Sequence, residues 1–136
     1  MTLCDAGPLV ALADLSDAHH ARCSAALTQF PVAGLITTWA CLAEAMYVLG
    51  RELGWRGQDA LWEWIGEGAV NLHDTAEGEG RRMRTLMRVY ADTPMDLADA
   101  SLVAASETLN LRRVFTVDRH FYIYRQQQGY AFEVVP

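Results

Sequence analysis

The order of apolar segments in this 136-residue chain predicts an α/β fold in which helices cover a central, mainly parallel sheet. Short apolar segments that suit strands alternate with longer segments that suit helices, which is typical of βαβ units. Ligands of such sheets bind at the carboxyl ends of the strands, near the point where the strand order reverses. Asp5 and Asp118 directly follow predicted strands, so we expect both at that edge.

Five short segments rich in apolar residues are the predicted strands. In chain order they cover residues 2–4, 33–36, 69–72, 114–117 and 131–135. Pro31 interrupts the chain just before the second of them. Their shortness and apolar character are typical of strands that are buried on both faces of a parallel sheet.

Six further segments are predicted helices, covering residues 9–15, 17–30, 39–53, 58–65, 75–90 and 96–109. Pro8 favours the first turn of the first helix, and Asp17 is a capping residue for the second. Thr37 and Thr38 are both candidate caps for the third helix, which Gly54 ends. The fourth is rich in tryptophan.

Length and composition predict a single domain over residues 1–136, because the chain is long enough for one hydrophobic core and 51% of its residues are hydrophobic. Its apolar runs fall short of the roughly twenty residues that a membrane span needs. The three cysteines have no C-x-x-C spacing, which argues against a disulfide framework or a zinc site. We therefore expect a cytoplasmic protein without a membrane partner.

The basic residues are all arginine, and this excludes the usual forms of several enzyme classes. Schiff-base enzymes, P-loop NTPases and response-regulator receivers each need a functional lysine. The net charge of −6 argues against a surface that attracts nucleic acid as a whole. It leaves open an enzyme that binds phosphate through cations and local arginines.

Five acids lie at the ends of predicted elements or on apolar helix faces: Asp5, Glu44, Asp96, Asp99 and Asp118. Each has an ordinary structural explanation. Asp5, Asp96 and Asp99 suit helix caps or first turns, Asp118 suits a strand-end turn, and Glu44 could face solvent. Their combination in one α/β order instead favours a cage of carboxylates around a divalent metal.

An oxygen-rich site of this kind suits Mg²⁺ or Mn²⁺ better than zinc. With carboxylates alone, the expected chemistry is phosphodiester hydrolysis, in which the metal activates a water and neutralises charge on phosphate. A haloacid-dehalogenase-type phosphatase is excluded, because it needs an aspartate where Gly7 stands and a lysine.

Four motifs in order make the chain resemble the PIN-domain family, in particular the VapC-type ribonuclease toxins. They are D-A-G-P-L-V-A-L from Asp5, T-T-W-A-C-L-A-E-A from Thr37, D-L-A-D-A-S-L-V-A-A from Asp96 and F-T-V-D-R-H-F from Phe115. The resemblance spans the whole chain. It departs from the family at Ala6, where a threonine or serine commonly follows the first aspartate.

The resemblance implies a three-layer α/β/α PIN-like fold and an Mg²⁺- or Mn²⁺-dependent endoribonuclease. It implies that the metal ligands are Asp5, Glu44, Asp99 and Asp118, with Asp96 as an accessory acid. Thr116 or Thr38 would hydrogen-bond to a ligand carboxylate. The alternative is a catalytically silent PIN-like module that binds RNA or a protein.

The resemblance also implies a homodimer and an antitoxin that covers the acidic cleft. Arg81, Arg84 and Arg88 form one stripe on a predicted helix, where contact with RNA and a solvated surface both remain open. The tryptophans could stack on bases, but we favour a core position or an interface with a second subunit or the antitoxin.

Overall fold

The structure, a computed structural model, describes residues 1–30 and 34–136. Within these ranges, five strands form one sheet in the order β3-β2-β1-β4-β5, with parallel pairing throughout. The strands are β1 (Thr2–Cys4), β2 (Leu35–Thr38), β3 (Val70–His73), β4 (Arg113–Phe115) and β5 (Glu133–Val135). The predicted α/β fold with a central parallel sheet is confirmed.

Six α-helices lie in the described part of the chain: α1 (Ala6–Ala13), α2 (His20–Leu27), α3 (Trp39–Leu53), α4 (Trp55–Gly66), α5 (Glu79–Val89) and α6 (Leu97–Leu109). A 3-10 helix, Arg119–Tyr122, follows β4. None of the helices in the described ranges combines the length and apolar character that crossing a bilayer requires.

Helices cover both faces of the sheet, because successive strand residues point to opposite faces. Leu3 and Val114 pack into one core with side chains of α5 and α6. Cys4 and Phe115 pack into a second core with side chains of α1, α2, α3 and α4. The result is three layers, helix on sheet on helix.

Several helices begin elsewhere than predicted. α1 starts at Ala6, three residues early, because Asp5 caps it and Pro8 fits its first turn, where a backbone N–H has no helical partner. α2 starts at His20, because the Asp17 carboxylate accepts the backbone N–H of His19 in the preceding turn. α4 is longer than predicted and α5 begins four residues later, at Glu79.

The predicted bounds of β1 match the structure, and those of the other strands differ by at most two residues at either end. β2 continues to Thr38 and β4 ends at Phe115. The chain leaves the sheet after β4 because Asp118 caps the 3-10 helix, which the sequence did not predict. Pro31 and the predicted start of β2, Ala33, lie outside the described residues.

The strand order reverses between β1 and β4, since β2 and β3 extend the sheet on one side and β4 and β5 on the other. The backbone N–H of Asp5 donates to the carbonyl of Phe115 at 2.9 Å, so the carboxyl ends of β1 and β4 are adjacent. Asp5 and the Thr116–Asp118 segment therefore meet at the edge where such sheets bind ligands.

Candidate metal centre

Asp5 is fixed at the start of α1 by hydrogen bonds to both of its carboxylate oxygens. Oδ1 accepts the backbone N–H of Ala6 at 2.8 Å, and Oδ2 accepts the Thr116 hydroxyl at 2.7 Å. The Cys41 thiol donates to Oδ1 at 3.8 Å. Burial raises the pKa of Asp5, and the bonds from Thr116 and Ala6 oppose that rise.

Asp96 and Asp99 form a capping box at the start of α6, in which each side chain accepts the backbone N–H of the other residue, at 2.8 and 3.2 Å. Asp99 is 6% exposed, whereas Asp96 is an exposed residue. The Tyr124 hydroxyl donates to Oδ2 of Asp99 at 3.4 Å. Capping therefore explains part of the position of both acids, but it does not explain why Asp99 is buried.

Asp118 caps the 3-10 helix after β4, where its Oδ1 accepts the backbone N–H of His120 at 2.9 Å. The imidazole Nδ1 of His120 lies 3.2 Å from the same oxygen. The backbone N–H of Asp118 donates to the Thr116 hydroxyl oxygen at 3.0 Å. Since that hydroxyl also donates to Asp5, Thr116 ties the Asp5 carboxylate to the backbone of Asp118.

Three carboxylates converge at the sheet edge. One oxygen from each of Asp5, Asp99 and Asp118 lies within 4.8 Å of the oxygens of the other two. Burial, followed by repulsion from Asp96, raises the pKa of Asp99 to about 8. A divalent cation fits this donor set, because oxygen ligands suit Mg²⁺ and Mn²⁺ and a positive charge relieves the repulsion.

Glu44 and Asp96 line the cavity around these three acids, which has a volume of about 380 Å³. Glu44 projects from α3 and is exposed, so it stands at the wall of the cavity rather than within the group of three. Partial burial, then the charges of Asp96 and Asp5, raises the pKa of Glu44. All five predicted acids thus surround one cavity.

The two candidate threonines have different partners. Thr116 contacts the Asp5 carboxylate, as described above. Thr38 is the cap of α3, accepting the backbone N–H of Cys41 at 3.2 Å, and its hydroxyl lies 2.7 Å from that of Ser101. Thr38 therefore supports the helix from which Cys41 and Glu44 project, rather than a carboxylate of the group.

The predicted arginine stripe lies on the exposed side of α5. Arg81, Arg84 and Arg88 are exposed and are not among the residues that line the acidic cavity. Trp55 and Trp62 are also exposed, at 65% and 43%. Trp64 instead packs against the core beneath α1 to α4.

Two residues that hold the carboxylates were not predicted, namely Cys41 and Tyr124. Both are fully buried, and each contacts its acid through tertiary packing rather than local spacing. Cys41 thus places a donor beside Asp5, whereas the residue after Asp5, Ala6, has no hydroxyl to offer. Neither residue stands out in the sequence from the apolar residues around it.

The sequence is similar over nearly its full length to a known ribonuclease. It is 26% identical over 133 residues to Ribonuclease VapC26 of Mycobacterium tuberculosis, covering 97% of this chain and 98% of that protein. The chain matches no protein-family model.

Solved structures share the fold. VapC20 of Mycobacterium tuberculosis, described as a sarcin-ricin loop cleaving toxin, matches with a TM-score of 0.84 and 17% identity over 100% of both chains. A toxin–antitoxin complex from Klebsiella pneumoniae matches with a TM-score of 0.65 and 17% identity, over 100% of this chain and 97% of that one. FitAcB from Neisseria gonorrhoeae has a TM-score of 0.57 and 21% identity, over 87% and 88% of the two chains.

The layers, the strand order and these likenesses define the class of the protein, which is the PIN-like three-layer α/β/α fold of the VapC structures. The resemblance to VapC-type PIN-domain proteins that the sequence motifs predict is therefore confirmed.

Proposed function

We propose that this protein is a metal-dependent endoribonuclease and the toxin of a VapBC-type toxin–antitoxin pair, acting in the cytoplasm. The observation on which the proposal depends is the convergence of Asp5, Asp99 and Asp118 within 4.8 Å at the carboxyl edge of the sheet. The ribonuclease with which the chain aligns over 97% of its length supports the same activity.

Asp5, Asp99 and Asp118 would hold Mg²⁺ or Mn²⁺, with Glu44 at the cavity wall as a further ligand and Asp96 as an accessory acid. Such an ion, when bound, lowers the pKa of a water and offsets the charge that builds on a phosphodiester. The products would be a 5′-phosphate and a 3′-hydroxyl.

The remaining residues of the site fix the carboxylates in place. Thr116 and the backbone of Ala6 orient Asp5, and Tyr124 and the backbone of Asp96 orient Asp99. A carboxylate whose oxygens are held by hydrogen bonds keeps its direction as the substrate enters, so the ligand set is organised before RNA binds.

The proposed protein partners are a second copy of the chain and a cognate antitoxin. Exposed aromatic residues such as Trp55 and Tyr47 leave apolar surface for an interface. An arginine of the antitoxin would pair with the clustered carboxylates and compete with the metal. Sedimentation as a monomer at micromolar concentration would contradict the dimer, and full cleavage activity of the complex with the antitoxin would contradict inhibition.

The experiment that tests the activity maps the RNA ends that appear when the protein is induced alone in cells. We expect new 5′-phosphate ends at a small number of sites, and none when Asp5→Asn is induced to the same level. A silent binding module would give no new ends with either protein. Equal cleavage by both proteins would mean that the cluster is not the active site.

A further inference from the structure

A second cavity borders the acidic one, and its lining is different in character. Its volume is about 410 Å³, and it shares Val117 and Asp118 with the acidic cavity. Its other walls include Arg22 of α2 together with Arg119 and Tyr122 of the 3-10 helix. Cationic and aromatic groups therefore lie directly beside the carboxylates.

Both arginines are available to an anion. Arg119 is exposed and forms no ion pair among the described residues. Arg22 uses one N–H to donate to the carbonyl of Pro136 at 3.3 Å. A guanidinium has five N–H donors, so the others can bind an anion. By contrast, Arg82 on α5 is bound to Glu107.

Tyr122 adds an aromatic ring to the same cavity. Its side chain is 58% exposed, so one face of the ring can be covered by a ligand. Aromatic rings of this kind stack with the unpaired bases of single-stranded RNA. The volume of the cavity is within the range of small-molecule sites, about 300 to 1,000 Å³.

We propose that this cavity binds the nucleotide next to the scissile phosphodiester, with Arg22 and Arg119 on its phosphate and Tyr122 on its base. The inference rests on the proposed ribonuclease function. The acidic cluster repels an RNA backbone, so an adjacent cationic cavity offsets that repulsion where the strand enters. Because Asp118 lines both cavities, a nucleotide bound in this one lies beside the nucleotide at the acidic cluster.

The test measures RNA binding separately from cleavage. A fluorescein-labelled, mixed-sequence 12-nucleotide RNA is titrated by anisotropy with the Asp99→Asn protein in EDTA, between 50 and 200 mM salt. In that background, Arg22→Gln and Arg119→Gln should each weaken binding several-fold. Each should also reduce the slope of log K against log salt by about 0.7, the loss of one phosphate contact on a single strand.

Two further variants separate charge from stacking. Tyr122→Leu should weaken binding roughly tenfold without changing the salt slope, because stacking releases no counterions. Arg56→Gln is the matched control, since Arg56 is exposed on α4 and lines neither cavity. It should retain the affinity and slope of the parent protein.

Each outcome supports or overturns the subsite. If RNA binds but Arg22→Gln and Arg119→Gln leave affinity and slope unchanged, or if Arg84→Gln causes the loss instead, the subsite is wrong and the ribonuclease proposal stands. If Arg119→Gln removes the rise in Tm that Mn²⁺ gives to otherwise unmodified protein, Arg119 acts through Asp118 and the subsite is wrong. If the Asp99→Asn protein does not bind RNA and the unmodified protein does not cleave it, both proposals fail.

Discussion

Thr116→Val tests whether the tie between Asp5 and Asp118 organises the metal centre. The substitution keeps the shape of a buried side chain that is 2% exposed. It removes the donor 2.7 Å from Asp5 Oδ2 and the acceptor 3.0 Å from the Asp118 backbone N–H. The Asp5 carboxylate is 6% exposed, so water replaces its lost hydrogen bond poorly. Asp118 is only partly buried, so the loss at its backbone costs less.

The magnitude follows from these two lost bonds. A hydrogen bond to a charged group contributes about 1.5–3 kcal/mol, so in Mn²⁺ the Tm should fall by roughly 5 °C or more. Loss of a residue that orients a ligand weakens metal binding or activity by about 10- to 100-fold. We expect a loss of that size in Mn²⁺ affinity by calorimetry and in the initial rate of RNA cleavage.

Thr116→Ser is the matched control, because it keeps the hydroxyl and removes only a methyl group. It should retain Mn²⁺ affinity within a few-fold and most of the activity. If Thr116→Val binds Mn²⁺ and cleaves RNA as well as Thr116→Ser does, the hydroxyl does not organise the site and the reasoning is refuted.

Three further predictions follow from the same geometry. Asp99→Asn should abolish cleavage with little loss of stability, whereas Asp96→Asn should only reduce it; full activity in Asp99→Asn would move the site to Asp96. Gly7→Ala should lower the Tm by several degrees and reduce activity, because the new Cβ would lie 2.7 Å from Cγ2 of Val117, the residue next to Asp118. The control Gly80→Ala should not lower the Tm, because its new Cβ would meet open space. Without metal, the Tm should fall as pH rises from 5 to 8. The reason is that the pKa of Asp99 is raised to about 8 in the folded state, so the proton that Asp99 holds below that pH stabilises the fold and is lost as pH rises. A Tm that rises over this range without metal would contradict this prediction.

Local features of the fold could be predicted from the sequence. The predicted bounds of α3 match the structure, because Thr38 and Gly54 provide a local cap and a local end. The position of Asp96 as the cap at the start of α6 was predictable for the same reason. The acids could be assigned to one sheet edge because strand order alone brings the ends of parallel strands together.

Features that depend on tertiary packing could not be predicted. Tyr124 reaches Asp99 from a segment that follows the 3-10 helix, and Cys41 reaches Asp5 from the first turn of α3. Neither contact has a signature in sequence spacing. The position of Glu44 was likewise open, because a lone glutamate on a largely apolar helix could face either solvent or the cavity.

The most direct test of the central claim is cleavage of single-stranded RNA by the purified protein with and without divalent metal. In Mg²⁺ or Mn²⁺ the protein should cut the RNA and leave 5′-phosphate ends, and the Asp5→Asn protein, purified in the same way, should be inactive. Excess EDTA should stop the reaction, and added Mn²⁺ should restore it. Equal cleavage in EDTA by the unmodified protein, with Asp5→Asn inactive throughout, would contradict a metal-dependent centre at Asp5, Asp99 and Asp118.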